Sequence, residues 1–208
     1  MKTKLLITFV LLSISFSLTY SQSLKDTYEN GKNAFYSDKF DDANNLFAQI
    51  LALQSDNYEN CFYKGLVYEI NFDYEKALSE LTKAIGYNPK SGDAYFHRGI
   101  VYDKLEKYTD AINDYTFAVK FDKKNPDIYF NRASDYQLLK QYKEAIKDYS
   151  KVVKLNPKDD ITFYNRGLLY KEMKDNANAV EDFEAAIKID KAWERELRPV
   201  IEQLQKGQ

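Results

Sequence analysis

The chain has 208 residues and a net charge of -2 at pH 7, with 44% hydrophobic and 30% charged residues. This length suits one or two compact domains or a short array of repeats. Surfaces that bind nucleic acids carry an excess of basic residues, so the slightly acidic balance argues against a nucleic-acid partner.

The N-terminus carries the pattern of a secretory signal peptide. Two lysines precede an apolar stretch over residues 5–18, and Thr19 and Ser21 then place small residues two positions apart. We expect cleavage after Ser21, which removes residues 1–21 and leaves no membrane-inserted segment. The alternative is a retained membrane anchor, but the stretch is shorter than the ~20 apolar residues that span a bilayer.

A period of 34 residues runs through the rest of the chain. A small residue recurs at Gly31, Gly65, Gly99, Ala133 and Gly167. An alanine recurs at Ala43, Ala77, Ala111, Ala145 and Ala179. The five copies, numbered here as repeats 1 to 5, span residues 24–57, 58–91, 92–125, 126–159 and 160–193. Such a period indicates a solenoid, in which each unit buries its apolar surface against its neighbours.

Each repeat is predicted to be a pair of helices joined by a short turn. In repeat 3, apolar and small residues recur at spacings of three or four on both sides of a break at residues 106–107, as on one face of a helix. Asn-Pro pairs at 88–89, 125–126 and 156–157 fall between repeats, where proline ends a helix. Small residues at Gly99 and Ala111 predict a close approach of the two helices, because larger side chains would push them apart.

This pattern resembles the tetratricopeptide repeat (TPR) family. In repeat 3 the match is carried by Gly99, Tyr102, Tyr108, Ala111, Tyr115 and Ala118. The resemblance implies an all-α fold, a right-handed α-solenoid of five tetratricopeptide helical hairpins with a concave groove lined by the first helices. Apolar residues at helical spacing after Trp193 predict a C-terminal cap helix over residues 194–208. Pro199 is expected in its first turn, or at a kink if the helix starts earlier.

Two charged columns predict an ion pair inside the hairpin. Lys64, Arg98, Arg132 and Arg166 form one column, and Glu80, Asp114, Asp148 and Asp182 form the other, 16 residues later. Both charges are missing together from repeat 1, which has Asn30 and Leu46 at these places. We interpret the columns as structural pairs that join the two helices; anion binding by the arginines is the alternative.

The groove that the resemblance implies supplies the candidate binding site. Its expected lining is an aromatic column with neighbouring polar residues: Tyr28, Lys32, Phe62, Tyr63, Phe96, His97, Phe130, Asn131, Tyr164 and Asn165. Rings that bury apolar side chains, beside amides that bond a backbone, suit an extended peptide. The sequence therefore predicts a non-catalytic scaffold that binds a protein or peptide. A carbohydrate or cell-wall binding module that uses the same rings is the alternative.

The chain lacks the components of the commonest catalytic and metal sites. It has one histidine, His97, and one cysteine, Cys61, so neither a His-based triad nor a His/Cys metal cluster can be assembled. We expect no catalytic residue, metal or cofactor, and the column of Cys61 predicts a small buried hydrophobe. The clamp by which some TPR domains hold a peptide carboxylate is absent around Asn131, because Phe96 and Ile100 stand where Lys and Asn are needed.

The predicted signal peptide also suggests a location. Its Tyr-Ser-Gln-Ser run and the Lys/Asn/Ile/Tyr-rich composition resemble exported proteins of Gram-negative bacteria of the Bacteroidota type. That resemblance implies a periplasmic or secreted protein, and it leaves the partner and the oligomeric state open.

Overall fold

The computed structural model describes the backbone of residues 2–206 and the side chains of residues 19–206. This part of the chain contains eleven α-helices and one short 3-10 helix, and no strand. The α-helices are α1 (Lys2–Tyr36), α2 (Phe40–Leu51), α3 (Tyr58–Ile70), α4 (Tyr74–Tyr87), α5 (Gly92–Lys104), α6 (Tyr108–Phe121), α7 (Pro126–Leu138), α8 (Tyr142–Leu155), α9 (Asp160–Glu172), α10 (Asn176–Ile189) and α11 (Glu194–Lys206). The chain divides within α5 into two compact halves, Met1–Val101 and Tyr102–Gln208, and each half is described by itself.

The turn inside each hairpin is closed by the same backbone geometry. One residue per turn has a left-handed φ between 58° and 60°: Asp38, Phe72, Glu106, Lys140 and Lys174. The next amide donates to the carbonyl oxygen five residues earlier, as from Asp73 to Tyr68 (2.9 Å) and from Gln141 to Tyr136 (2.8 Å). These bonds satisfy carbonyl groups at the end of the first helix. The backbone therefore ends the helix at a fixed place in every repeat, although none of the five turns uses glycine.

The small-residue column lies under a large side chain of the second helix. A Cβ atom added to Gly65 would lie 2.7 Å from Cγ of Leu81, and one added to Gly167 would lie 2.7 Å from Cε1 of Phe183. The sequence predicted a close approach of the two helices here. The structure gives the reason, because the side chain 16 residues later occupies the space that a Cβ would fill.

Arg132 holds three helices of the C-terminal half together. Its Nε and Nη2 atoms donate to the two carboxylate oxygens of Asp148, at 2.7 and 2.8 Å, and its Nη1 donates to Oγ1 of Thr116, at 3.0 Å. Asp148 belongs to the same hairpin, whereas Thr116 lies on the second helix of the preceding repeat. The predicted ion pair is confirmed here, and a bond between neighbouring repeats is added to it.

Arg166 repeats this arrangement one repeat later. It donates to both carboxylate oxygens of Asp182, at 2.8 and 2.7 Å, and to Oγ of Ser150 in the preceding repeat, at 2.9 Å. Burial of its partner disfavours the charged carboxylate and raises the pKa of Asp182, while the guanidinium acts in the opposite direction. The planar guanidinium can serve three acceptors at once because its five N–H groups point in fixed directions.

The predicted pair in repeat 2 is wrong. The ammonium group of Lys64 donates to the backbone carbonyl oxygen of Leu53, and Glu80 pairs instead with Lys83 at 2.7 Å. A lysine offers one compact charge in place of the guanidinium fork. Lys64 therefore does not join the two helices of its hairpin as Arg132 and Arg166 do.

Asp135 is an acidic residue in a core column that is apolar in repeats 2, 3 and 5. The residues at this position in repeats 2, 3 and 5 are Val67, Val101 and Leu169, each at most 1% exposed, and Asp135 is also 1% exposed. Its Oδ2 atom has no hydrogen-bond partner among the described residues. Burial and the nearby carboxylate of Asp103 raise the pKa of Asp135 to about 8, so its neutral acid form is favoured at neutral pH.

The C-terminal helix covers the last repeat. Leu197, Ile201 and Leu204 of α11 join Phe183 and Ile187 of α10 in one buried cluster. Pro199 lies in the second turn of α11, not in the first as the sequence predicted, because the helix already begins at Glu194 after a 3-10 turn. Cys61, predicted to be a buried hydrophobe, is 0% exposed.

We expect the Arg132–Asp148 pair to show strong coupling. Its two side chains are 13% and 6% exposed, so Arg132→Ala or Asp148→Ala leaves a buried charge without its partner. Each single change should cost ~3 kcal/mol in the free energy of unfolding, and the double variant should cost clearly less than the sum. Urea denaturation of the four proteins measures this. The exposed pair Arg198–Glu194 is the control, with an expected coupling of ~0.2–1 kcal/mol; additive losses for Arg132 and Asp148 would contradict a direct pair.

Asp135 should make stability depend on pH. Its pKa is higher in the folded protein than the ordinary value of 3.8, so folding takes up a proton at intermediate pH. The raised pKa of Asp135 contributes fully to the free energy of unfolding below about pH 4. This contribution falls by on the order of 1 kcal/mol per pH unit as the pH rises to about 8. The ionisable groups that face Asp135 are Asp103 and Lys104 on α5, Tyr108 on α6 and Tyr149 on α8.

Asp135→Asn should flatten this profile, because the amide does not titrate. Urea unfolding midpoints of wild type and variant between pH 5 and pH 9 check the expectation. Asp110→Asn, at an exposed position on α6, is the control and should keep the wild-type slope. Parallel profiles for wild type and Asp135→Asn would show that the buried carboxyl group does not set the pH dependence.

Candidate ligand-binding groove

Five of the ten predicted site residues meet in one cavity of the N-terminal half. The cavity has a volume of about 240 Å³ and lies between α1, α3 and α5. Its lining consists of Lys25, Tyr28, Glu29, Lys32, Phe62, Tyr63, Leu66, Asp93 and His97. All three helices are the first helices of their repeats, so the cavity lies where the TPR resemblance places the groove.

Three aromatic rings form the apolar floor of this cavity. The ring centroids of Tyr28 and Tyr63 are 5.9 Å apart, and Phe62 meets Tyr63 edge to face at 5.3 Å. Tyr28, Phe62 and Tyr63 are only 7–9% exposed, so a ligand can reach only a small part of each ring. Burial raises the pKa of Tyr63 to about 12 and also raises the pKa of Tyr28, so both hydroxyl groups stay protonated and can donate hydrogen bonds.

Charged side chains form the rim. The Nζ atom of Lys32 lies 3.0 Å from a carboxylate oxygen of Glu29 and 5.7 Å from the ring centroid of Tyr28. Nδ1 of His97 lies 2.9 Å from Oε2 of Glu69. Because an ionised carboxylate accepts and cannot donate, Nδ1 carries a proton in this contact, and Nε2 is the ring nitrogen that lies outside it.

Phe96, the sixth predicted residue of this half, lies beside the cavity. Its ring centroid is 5.4 Å from that of His97, and the ring of Phe62 approaches His97 at 5.8 Å from the other side. His97 is therefore fixed by two aromatic neighbours and by Glu69. This contact set orients the imidazole at the rim before any ligand arrives.

The carboxylates that lie beside the lysines and the histidine were not predicted from the sequence. Glu29 and Asp93 line the cavity, and Glu69 orients His97 from a position 28 residues earlier in the chain. Glu69 shares its column with Phe35, Asp103, Gln137 and Lys171, so no repeated residue type marked it. Only the packing of one helix on the next brings this carboxylate to the imidazole.

The predicted residues of the C-terminal half have different surroundings. Phe130 packs edge to face on Tyr149 at 5.6 Å, and the half-buried Asn131 stands next to it in the chain. Tyr164 stacks on Trp193 at 4.4 Å, and its hydroxyl group donates to Glu196 at 3.0 Å. One face of the Tyr164 ring is thus covered by the chain itself.

Asn165, beside Tyr164, is half-buried. Within residues 19–206 the side chains of Asn131 and Asn165 make no hydrogen bond, so both amides are available to a backbone.

A larger cavity, of about 500 Å³, lies between α1 and α2 and contains none of the predicted site residues. Its lining includes Asn30, Asn33, Asn45 and Gln49, and Ala34 stands where the other four repeats have tyrosine. Asn33 occupies the column in which Val67 is buried. The first repeat has no preceding repeat to cover it, so we interpret this polar surface as the solvated end of the array.

Two wider properties of the described residues bear on function. Among them, no group of three or more His, Cys, Asp or Glu side chains has the arrangement of a metal site. Nor does any of their helices combine the length and the apolar character needed to cross a bilayer.

Solved structures of several TPR proteins resemble this chain in fold. A crystal structure of MamA is 21% identical, with a TM-score of 0.68 over 79% of this chain and 96% of MamA. YrrB, described as a TPR protein with an unusual peptide-binding site, is 22% identical, with a TM-score of 0.63 over 79% of this chain and 84% of YrrB. A tetratricopeptide repeat protein from Parabacteroides merdae ATCC 43184 is 26% identical, with a TM-score of 0.66 over 72% of this chain and 60% of that protein.

Family comparison agrees with the structural one. Comparison with curated proteins gives no match. Tetratricopeptide repeat models match residues 71–126, 126–159 and 162–192, which together cover more than half of the chain. With five hairpins at a constant period and this fold, the chain belongs to the tetratricopeptide repeat family.

Proposed function

We propose that this protein is an interaction scaffold that binds an extended segment of a partner protein in the cavity between α1, α3 and α5. The observation that carries the proposal is the combination of an apolar floor with a charged rim. Three largely buried aromatic rings line the cavity, together with Lys25, Lys32 and His97 and the carboxylates of Glu29 and Asp93. Such an arrangement places one apolar side chain and holds the polar backbone around it.

The size of the cavity defines what enters it. At about 240 Å³ it lies below the range typical of sites that enclose a drug-sized molecule, so it suits a single side chain of a longer ligand. The hydroxyl groups of Tyr28 and Tyr63 can donate to carbonyl oxygens, and the rim carboxylates of Glu29 and Asp93 can accept from amides. An extended peptide presents both groups along its length, whereas a folded surface rarely does.

A saccharide ligand fits these rings less well. Sugars pack on flat exposed aromatic faces, but Tyr28 and Phe62 are 7% and 9% exposed, and Trp193 covers a face of Tyr164. The peptide is therefore the occupant that the geometry favours.

The peptide site should depend on rim residues whose loss leaves the core intact. Lys32 and His97 are both half-buried, so Lys32→Gln together with His97→Ala should leave the thermal unfolding midpoint nearly unchanged. We expect this double variant to lose at least tenfold in affinity for decapeptides selected on the wild type from a displayed random library. Fluorescence anisotropy with the labelled peptides measures the change.

Lys90→Gln together with Lys107→Gln is the matched control, because both lysines are exposed and outside the cavity. This control should bind like wild type. Unchanged peptide affinity in the rim variant would reject the site, and saturable binding on a glycan array, lost in the same variant, would favour the saccharide alternative.

We further propose that the scaffold acts outside the cytoplasm after removal of residues 1–21. The support is the order of positive residues, apolar stretch and small residues in the sequence. In the full chain, α1 continues without a break through this segment, and the hydroxyl group of Tyr20 donates to Oδ1 of Asn60 at 2.8 Å. Cleavage after Ser21 would remove this bond and leave the lining of the cavity complete.

Expression in a Gram-negative host tests this proposal. We expect the protein in the periplasmic fraction with Gln22 as its first residue, as read by intact-mass measurement. A variant with Leu11 and Leu12 changed to Lys should stay in the cytoplasm at full length, because a charged apolar segment no longer serves as a signal. Recovery of wild type at the full-length mass of 24.4 kDa would contradict cleavage.

A further inference from the structure

Helix α8 carries a row of lysines that no other second helix repeats. Lys143, Lys147, Lys151 and Lys154 follow at intervals of four, four and three residues, which places them along one side of the helix. At the positions of Lys147 and Lys151, repeat 3 has Asn113 and Phe117, and repeat 5 has Glu181 and Ala185. Lysine recurs at the position of Lys151 as Lys83, and at the position of Lys154 as Lys120 and Lys188, so the row as a whole is specific to repeat 4.

These four ammonium groups are not neutralised by the surrounding chain. Lys76, Lys83 and Lys104 each lie within 3.0 Å of a carboxylate oxygen. Within residues 19–206, by contrast, none of the four α8 lysines has a carboxylate oxygen within ion-pair distance. In a chain with a net charge of -2, this is a local concentration of uncompensated positive charge.

Three of the lysines line a cleft between α7 and α8. The cleft has a volume of about 360 Å³ and is lined by Tyr129, Arg132, Lys147, Asp148, Ser150, Lys151 and Lys154. We call it the basic cleft. The Arg132–Asp148 pair at 2.7 Å is internally neutral, so the net charge of the lining comes from the lysines. Nζ of Lys151 lies 5.8 Å from the ring centroid of Tyr129, which forms an apolar wall together with the lysine stems.

We propose that the basic cleft binds an acidic, extended segment of a partner protein. From Lys143 to Lys154 the row covers eleven steps of α-helix, about 16 Å at 1.5 Å per residue. An extended peptide advances ~3.3 Å per residue, so about five residues match this length. Carboxylates of such a segment reach the ammonium groups, and an apolar side chain between them enters the cleft beside Tyr129.

The dimensions and charges favour a peptide over a nucleic acid. A protein that binds duplex DNA typically makes ~6–10 phosphate contacts along its backbone, more than a row of four lysines provides. Asp159 and Asp160, which follow the helix, would repel a polyanion that continues past the row. A short acidic segment ends before it meets these carboxylates.

The test uses a labelled acidic peptide, Glu-Asp-Leu-Glu-Asp-Glu, and its neutral analogue with Gln and Asn in place of Glu and Asp. Fluorescence anisotropy should show saturable binding of the acidic peptide to the full chain, weaker at high salt, and no binding of the analogue. The triple variant Lys147→Gln, Lys151→Gln, Lys154→Gln should bind about tenfold more weakly, as expected from the loss of three partly exposed charge contacts.

The control variant is Lys158→Gln, Lys171→Gln, Lys188→Gln, which makes the same change in net charge at exposed positions outside the cleft. It should bind the acidic peptide like wild type, and both variants should keep the wild-type thermal unfolding midpoint. Equal loss of affinity in both variants would show that binding depends only on the net charge of the protein, and would overturn the proposal.

Two further results would overturn it. One is tighter, lysine-dependent binding of the oligonucleotide (dT)20 than of the acidic peptide, which would assign the cleft to nucleic acid. The other is the absence of any acidic peptide binding to wild type at low salt. The groove variant Lys32→Gln with His97→Ala should bind the acidic peptide normally, so this proposal and that of the groove fail independently.

Discussion

The guanidinium groups of Arg132 and Arg166 join neighbouring repeats in the C-terminal half, and the order of that half depends on them. Each side chain donates to the aspartate of its own second helix and to a hydroxyl group on the second helix before it, at 2.7–3.0 Å. A helical hairpin cannot bury its apolar faces alone, so a solenoid is stable only if each interface is specific. Apolar packing supplies the driving force, and the three-acceptor geometry of arginine fixes which helix surfaces meet.

The positions where the repeat departs from its own pattern are the informative ones. Asp135 replaces an apolar residue in the core column and places a titratable carboxyl group in the interior of repeat 4. In repeat 1, Ala34 and Asn33 replace a tyrosine and a buried aliphatic residue, which leaves a polar cavity at the end of the stack. In repeat 5, the ring of Trp193 stacks on Tyr164 and covers one face of it. The repeated residues determine the helix pairs, and single departures from the pattern determine how the surface of one repeat differs from that of another.

The two proposed binding sites lie on different helices of the repeats. The groove cavity lies on first helices and combines buried ring edges with a rim in which His97 is oriented by Glu69. The basic cleft lies between the two helices of one hairpin and depends on lysines that point away from the core. Since residues that face solvent can change without loss of packing, such surfaces are where members of a repeat family acquire separate partners.

The sequence by itself determined the repeat length, the helix pairs, the family and the ion pairs of repeats 4 and 5, because each rests on residues repeated at a constant interval. It also identified five residues of the groove cavity by column. It did not reveal that Lys64 bonds to Leu53, that Asp135 is buried next to Asp103, or that Glu69 orients His97. These contacts join residues 11 to 32 positions apart that share no repeated pattern, so only the packing of one helix on another decided them.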